Sequence, residues 1–183
     1  MTAAGSSITY DLAHDYLEVA RAAASVLGPP SGFSAGRHHH SGVHNAVYAV
    51  LSVSTIFSHM AVEAFVAQEE AKAGTAAPLR GLDDRIEALC RWKGLPELAQ
   101  ADPGLLKGLR ALAADFADLM ASDGQARSRP QDHAASLMAR SEPLAYPAVA
   151  EAILRHLHGG EDGTMPPWLA TNVLLNFRAF LVD

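Results

Sequence analysis

Cysteine occurs once in the 183 residues, at Cys90, which excludes an intramolecular disulfide and a thiolate metal site within one chain. Aromatic residues make up only 7% of the chain, so Leu, Ala and Val must supply the core. Lysine is nearly missing, with three against eleven arginines, and these cations are scattered. With a formal net charge of −6 there is no global basic field to draw phosphate backbones, so DNA is not an expected partner. The first seven residues lack the basic and apolar regions of a secretory signal, and a cytoplasmic address is expected. Serine-hydrolase, P-loop and dinucleotide-binding signatures do not occur.

Long apolar runs are wanting too, with one exception. Residues 46–67 form a mostly apolar stretch of 22 positions, long enough to cross a bilayer. Ser52, Ser54, Thr55, Ser58, His59 and Glu63 interrupt it, and a charge in lipid is expensive. A buried core helix is the expectation, with no membrane partner.

What the chain does have is helical periodicity. Hydrophobic residues reach 49% and Ala, the best helix former, is abundant. Leu12, Tyr16, Ala20, Ala23 and Leu27 recur at helical spacing behind a cap at Ser6 or Ser7, and Gly28-Pro29-Pro30 ends that helix. A long second helix is predicted over residues 43–73, and a short one over 82–93 with Leu82, Ile86 and Leu89 on one side. The next, 104–121, turns Leu105, Leu109, Leu112, Phe116 and Leu119 to the core. Shorter helices follow over 131–140 and 147–158, and a last one begins at Pro166 with Leu169, Val173, Phe177 and Phe180 inward. No strand-like alternation occurs. The fold class is therefore all-α, a compact bundle of five to six helices forming a single domain over 1–183: an N-terminal helix in 1–30, a core in 43–140 and C-terminal helices in 145–183.

Several polar groups stand out against this apolar background. Asn45, Tyr48, Ser52, Thr55, His59 and Glu63 follow one another by three or four residues and draw one polar stripe along the second helix. Tyr48, Ser52, Thr55, His59 and Glu63 are candidate binding residues, lining a pocket or a dimer seam. The bland alternative is a solvated strip or a network that satisfies itself. His59 and Glu63, one turn apart, are placed to hydrogen-bond, which would raise the basicity of the imidazole. Arg37, His38, His39, His40 and His44 would bind zinc or nickel in vitro, but without a nearby carboxylate or thiolate no metal site and no cofactor are expected. His156 and His158 suit a helix C-terminus as caps, Cys90 reads as packing, and Trp92 and Trp168 as core or interface anchors.

The segment from Val53 to Gly94, with its "AVEAF" phrase on a long Ala/Ser-rich helix followed by a break and a short amphipathic helix, resembles bacterial HEPN-domain proteins (higher eukaryote and prokaryote nucleotide-binding). The resemblance spans about residues 43–140. It implies a helical bundle that often dimerises and, in active members, metal-independent cleavage of RNA by an Arg-Asn-x-x-x-His element. Carried onto "LRALAADFADLM", that element meets Ala113, Ala114 and Asp118, or in a second register Arg110 and Asp115. Neither register supplies the histidine. Arg127 and His133 satisfy a looser Arg-x(4–6)-His spacing and are the candidate catalytic pair, although chance alone supplies roughly one or two such spacings in a chain of this composition. Arg would stabilise phosphorane charge and His would act as general acid or base.

The function expected on these grounds is a catalytically silent HEPN-like binding or assembly module, homodimeric, associated with RNA or with a defence or toxin–antitoxin system, and taking RNA or a nucleotide as ligand. The alternatives are a metal-independent ribonuclease using Arg127 and His133, and a metal-dependent bundle enzyme using His44, His59 and Glu63.

Overall fold

A computed structural model describes residues 11–27, 41–74, 81–121, 142–159 and Leu169, with side chains from residue 46 in the second stretch and from 143 in the fourth. Among the described residues there are six helices and no strand: α1 (Leu12–Leu27), α2 (Ser41–Ala73), α3 (Leu82–Lys93), α4 (Leu98–Ala101), α5 (Pro103–Met120) and α6 (Glu142–His158). The all-α bundle expected from the periodicity is what the chain forms.

Two apolar clusters fix how the helices run. One gathers Ala13 and Leu17 of α1, Ala61, Val62, Phe65 and Val66 of α2, Leu109 of α5, and Ala150, Ile153, Leu154 and Leu157 of α6. The other holds Val47 and Leu51 of α2 and Leu144 of α6, with Leu27 and Leu119 packed against it. Each of α1, α2, α5 and α6 has one end in each cluster. Successive members run in opposite directions, an up-down arrangement of hydrophobic stripes around a shared core. The short helices α3 and α4 close the first end, where Leu82, Ile86, Leu89, Cys90 and Leu98 join the larger cluster.

Local chemistry sets the boundaries. Asp102 caps α5 by accepting a hydrogen bond from the Leu105 backbone N–H at 2.9 Å, with Pro103 in the first turn where its missing N–H costs nothing. Gly94 ends α3 at φ 70°, a left-handed conformation that disfavours a side chain. The one-turn helix α4 has no periodicity long enough to be read from sequence.

Three expectations need correction. Helix α6 begins at Glu142, one and a half turns before Pro147, so this proline lies inside the helix instead of opening it. An interior proline loses one backbone bond and costs about 3 kcal/mol. Burial of Leu144 and of Tyr146, whose hydroxyl bonds to Asp115, holds the first turn in place nonetheless. On α1, Leu12 is 48% exposed, and the inward face is Ala13, Leu17, Ala20 and Arg21. Trp92 is half exposed, so it is no core anchor. The expected helices at 131–140 and from Pro166 onward, the cap at Ser6 or Ser7, and Trp168 lie outside the described residues; Leu169 is described and is buried in the larger cluster.

Candidate functional site

Between the two apolar clusters the interior turns polar. Ser54, Thr55, Ser58 and His59 of α2 are all buried, as is Asp115 of α5. At the same level Tyr146 of α6 donates its hydroxyl hydrogen to Asp115 Oδ2 at 2.5 Å. A buried carboxylate needs such a donor, because an unpaired charge in a core is several kcal/mol too costly. Of the sequence stripe on α2, Thr55 and His59 thus lie inside the bundle, while Tyr48, Ser52 and Glu63 are half-buried at its edge.

The five candidate binding residues do not converge on one cavity. Thr55 donates to the Leu51 carbonyl at 2.9 Å and Ser52 to the Tyr48 carbonyl at 2.8 Å, so both hydroxyls are spent on their own helix. Tyr48 packs its ring against the smaller apolar cluster. Glu63 turns away to Arg85 Nη1 at 2.5 Å, and Arg85 also holds Glu70 through Nη2 at 2.7 Å and Nε at 3.0 Å. These bonds, to Glu70 first and to Glu63, lock the Arg85 guanidinium in its charged form.

His59 is the singular member. Its ring lies flat against Phe116 of α5, centroids 3.9 Å apart and planes 2° from parallel. Its Nδ1 is buried and makes no hydrogen bond within the protein. Removal from water pushes the imidazole below its ordinary value, and the attraction of Glu63 opposes this without overcoming it. The expected gain in basicity from a His59–Glu63 bond is therefore corrected: Arg85 takes the carboxylate, burial wins, and His59 stands as a neutral ring at pH 7. The hydroxyls of Ser54 and Ser58 likewise make no hydrogen bond within the protein.

Of the positions carried over from the family resemblance, Ala114 and Asp118 are exposed on α5 and Ala113 is half-buried. Arg110, also exposed, directs Nε to Asp83 Oδ2 at 3.2 Å. Asp115, which takes the histidine position in the second register, is turned into the core toward Tyr146. Arg127, His133, Arg37 and His38–His40 lie outside the described residues, as does the side chain of His44. Among the described residues no group of three or more His, Cys, Asp or Glu is arranged to hold a metal ion.

Charge that the sequence pattern did not reveal is concentrated at helix junctions. Glu69, 2% exposed, meets Lys93 Nζ at 2.5 Å and Lys72 Nζ at 2.7 Å. Burial alone would raise the Glu69 carboxyl, but the two ammonium groups outweigh it and hold it below the ordinary range. Arg21, 4% exposed, bridges Glu18 on its own helix and Glu151 on α6, both at 2.6 Å. Glu151 is held low in the same way, against its burial, by Arg21 and Arg155. The nearest sequence signal was three glutamates closing α2 ahead of a short helix with Arg85, Arg91 and Lys93. His156, expected as a cap, instead donates from Nε2 to the Pro96 carbonyl at 2.9 Å and ties α6 to the α3–α4 connection. Cys90 is buried as packing, its thiol pushed up to about 11 first by that burial.

Comparison of the chain with family models, curated proteins and solved structures gave no match.

Proposed function

We propose that this chain is a catalytically silent helical module for binding and assembly, HEPN-like in organisation, homodimeric and cytoplasmic, and belonging to an RNA-associated or toxin–antitoxin-type bacterial system. One observation carries the silence. On α5, where the resembling family places its arginine and histidine, this chain presents Ala113, Ala114 and Asp118, and the nearby Arg110 is engaged by Asp83. A carboxylate at that position repels a phosphodiester, and an alanine has no proton to give or take.

The interior supports the same reading. The ionisable groups described in the core and at its edge are engaged with one another: Glu69 with Lys93, Asp115 with Tyr146 and, at the edge, Glu63 with Arg85. His59 has no nucleophile bonded to its buried nitrogen. A site built for catalysis keeps a base next to the group it activates.

The test is incubation of the purified protein with labelled single-stranded RNA in the presence of EDTA. Intact RNA over hours is expected. Metal-independent cleavage would overturn the proposal, and its loss in His133→Ala would reassign the protein to the ribonuclease alternative using Arg127 and His133.

A further inference from the structure

Helix α2 carries a seam of residues recurring by four and three: Val47, Leu51, Ser54, Ser58, Ala61 and Phe65, all buried. The outer four pack into the two apolar clusters. The middle two bring hydroxyls to a part of the seam that apolar groups would otherwise fill.

A serine or threonine inside a helix commonly returns its proton to the carbonyl one turn back, as Ser52 and Thr55 do on this same helix. Ser54 and Ser58 do not. Both are 0% exposed, and their oxygens make no hydrogen bond within the protein. Arg21 Nη2 and Glu69 Oε2 are also buried without a hydrogen bond, but each lies in an ion pair, a compensation closed to serine. A hydroxyl turned off its helix in a core is costly unless another group meets it.

Helix α6 shows what lies opposite. Its own seam is Pro143, Pro147, Ala150, Leu154 and Leu157, again all buried. The two helices run parallel, and Leu51 shares a cluster with Leu144 as, ten residues further along each, Ala61 does with Leu154. Three residues beyond Leu51 and Leu144, Ser54 is therefore level with Pro147, and Ser58 follows one turn on beside Ala150 and Glu151. Pro147 has no N–H, so the Pro143 carbonyl lacks its helical donor. Two hydroxyls without partners and a carbonyl without its donor thus come to one level of the core. Ala150 offers only a methyl group there, as does Ala20 of α1, which the Tyr16–Phe57 contact sets level with the start of this step. The Glu151 carboxylate is held by Arg21 and Arg155.

We infer that α2 and α6 hold an ordered water between them, bound by Ser54, Ser58 and the Pro143 carbonyl. The water donates one proton to that carbonyl, in place of the amide that Pro147 lacks, and hydrogen-bonds to both serine hydroxyls. Three polar partners are what a buried water usually has. The site explains why a proline is accommodated within a buried helix opposite two serines.

Urea denaturation reads the energetic side. Alanine is the better helix former, and deleting a bare buried hydroxyl relieves its desolvation, so without the water Ser54→Ala and Ser58→Ala would each raise the midpoint. With the water each variant loses one of its partners, and the midpoint should fall by about 0.5 M. Pro147→Ala supplies the Pro143 carbonyl with a backbone donor and removes it from the site. In that background the loss from Ser54→Ala should shrink by about half or more. A crystal structure that shows ordered solvent should place one oxygen about 2.7–3.2 Å from Ser54 Oγ, Ser58 Oγ and the Pro143 carbonyl.

A raised or unchanged midpoint in either serine variant overturns the inference. So do strictly additive effects of Ser54→Ala and Pro147→Ala, or electron density with no solvent at this junction.

Discussion

Replacing Glu69 by Gln should cost this fold more than almost any other single isosteric change. The carboxylate is 2% exposed and the Lys93 ammonium facing it is 4% exposed, with 2.5 Å between their charged atoms. Their attraction offsets the desolvation of both. The amide side chain would keep the shape and remove the charge, leaving the Lys93 ammonium buried without its carboxylate. Breaking a buried pair from one side costs about 3–5 kcal/mol. The reverse change, Lys93→Met, should cost less, since Lys72 remains 2.7 Å from Glu69 and its own side chain reaches solvent. The double variant Glu69→Leu/Lys93→Met should recover most of the loss, because well-packed apolar replacements of such pairs are often neutral. Urea denaturation followed by circular dichroism measures all three. With a slope of about 2 kcal/mol per molar, a loss of about 3 kcal/mol moves the midpoint by about 1.5 M. Acid adds a second readout. The folded-state carboxyl of Glu69 is held below its unfolded value, so its contribution is fully present above the unfolded value and disappears as pH falls through the folded one. Glu69→Gln should flatten that acid limb. A Glu69→Gln midpoint within about 0.3 M of wild type would refute the reasoning, since the pair would then be as well solvated as a surface one.

Two further outcomes are expected. Tyr146→Phe removes the hydroxyl that donates to the buried Asp115 carboxylate and should destabilise the fold by about 1–3 kcal/mol in the same urea assay; unchanged stability would mean Asp115 is satisfied without it. His59 has its folded-state value lowered by burial, so the neutral ring is favoured: its contribution is complete above the ordinary value of 6.5 and declines as pH falls below that value through the folded one. His59→Leu should abolish this fraction of the pH dependence in denaturation midpoints measured between about pH 7.5 and 5, and identical profiles for the two proteins would count against a buried, neutral imidazole.

Much of the fold was legible in the sequence because it is written in spacing. The stripe Leu105, Leu109, Leu112, Phe116, Leu119 identified α5, and Leu82, Ile86 and Leu89 identified α3, since only a helix brings those positions to one side. Where spacing and burial parted, the competing interaction is identifiable. Leu12 continued the α1 pattern numerically, but the inward face instead runs through Ala13, Leu17 and Ala20 and includes Arg21, which reads as a surface residue until Glu151 appears 130 positions later to receive it. Pro147 looked like a helix start because local rules place proline there. The Asp115–Tyr146 bond, between residues 31 apart, overrides that rule.

The candidate site was less legible, for a reason visible at Glu63. A polar stripe on one helix states which side chains share a face, not what each will meet. Glu63 and His59 are one turn apart, and on an isolated helix they would find each other. In the bundle Arg85 competes for the carboxylate with a planar, always-charged guanidinium that binds Glu63 and Glu70 together, and a neutral or weakly basic imidazole loses that competition. What remains for His59 is the flat face of Phe116. Part of the polarity of α2, at Ser54, Thr55, Ser58 and His59, is thus absorbed inward while Ala46, Ala49, Val53 and Ala67 are exposed, an arrangement that counting polar residues along the helix cannot detect. Only the placement of α1, α5 and α6 around α2 reveals which of its side chains they bury.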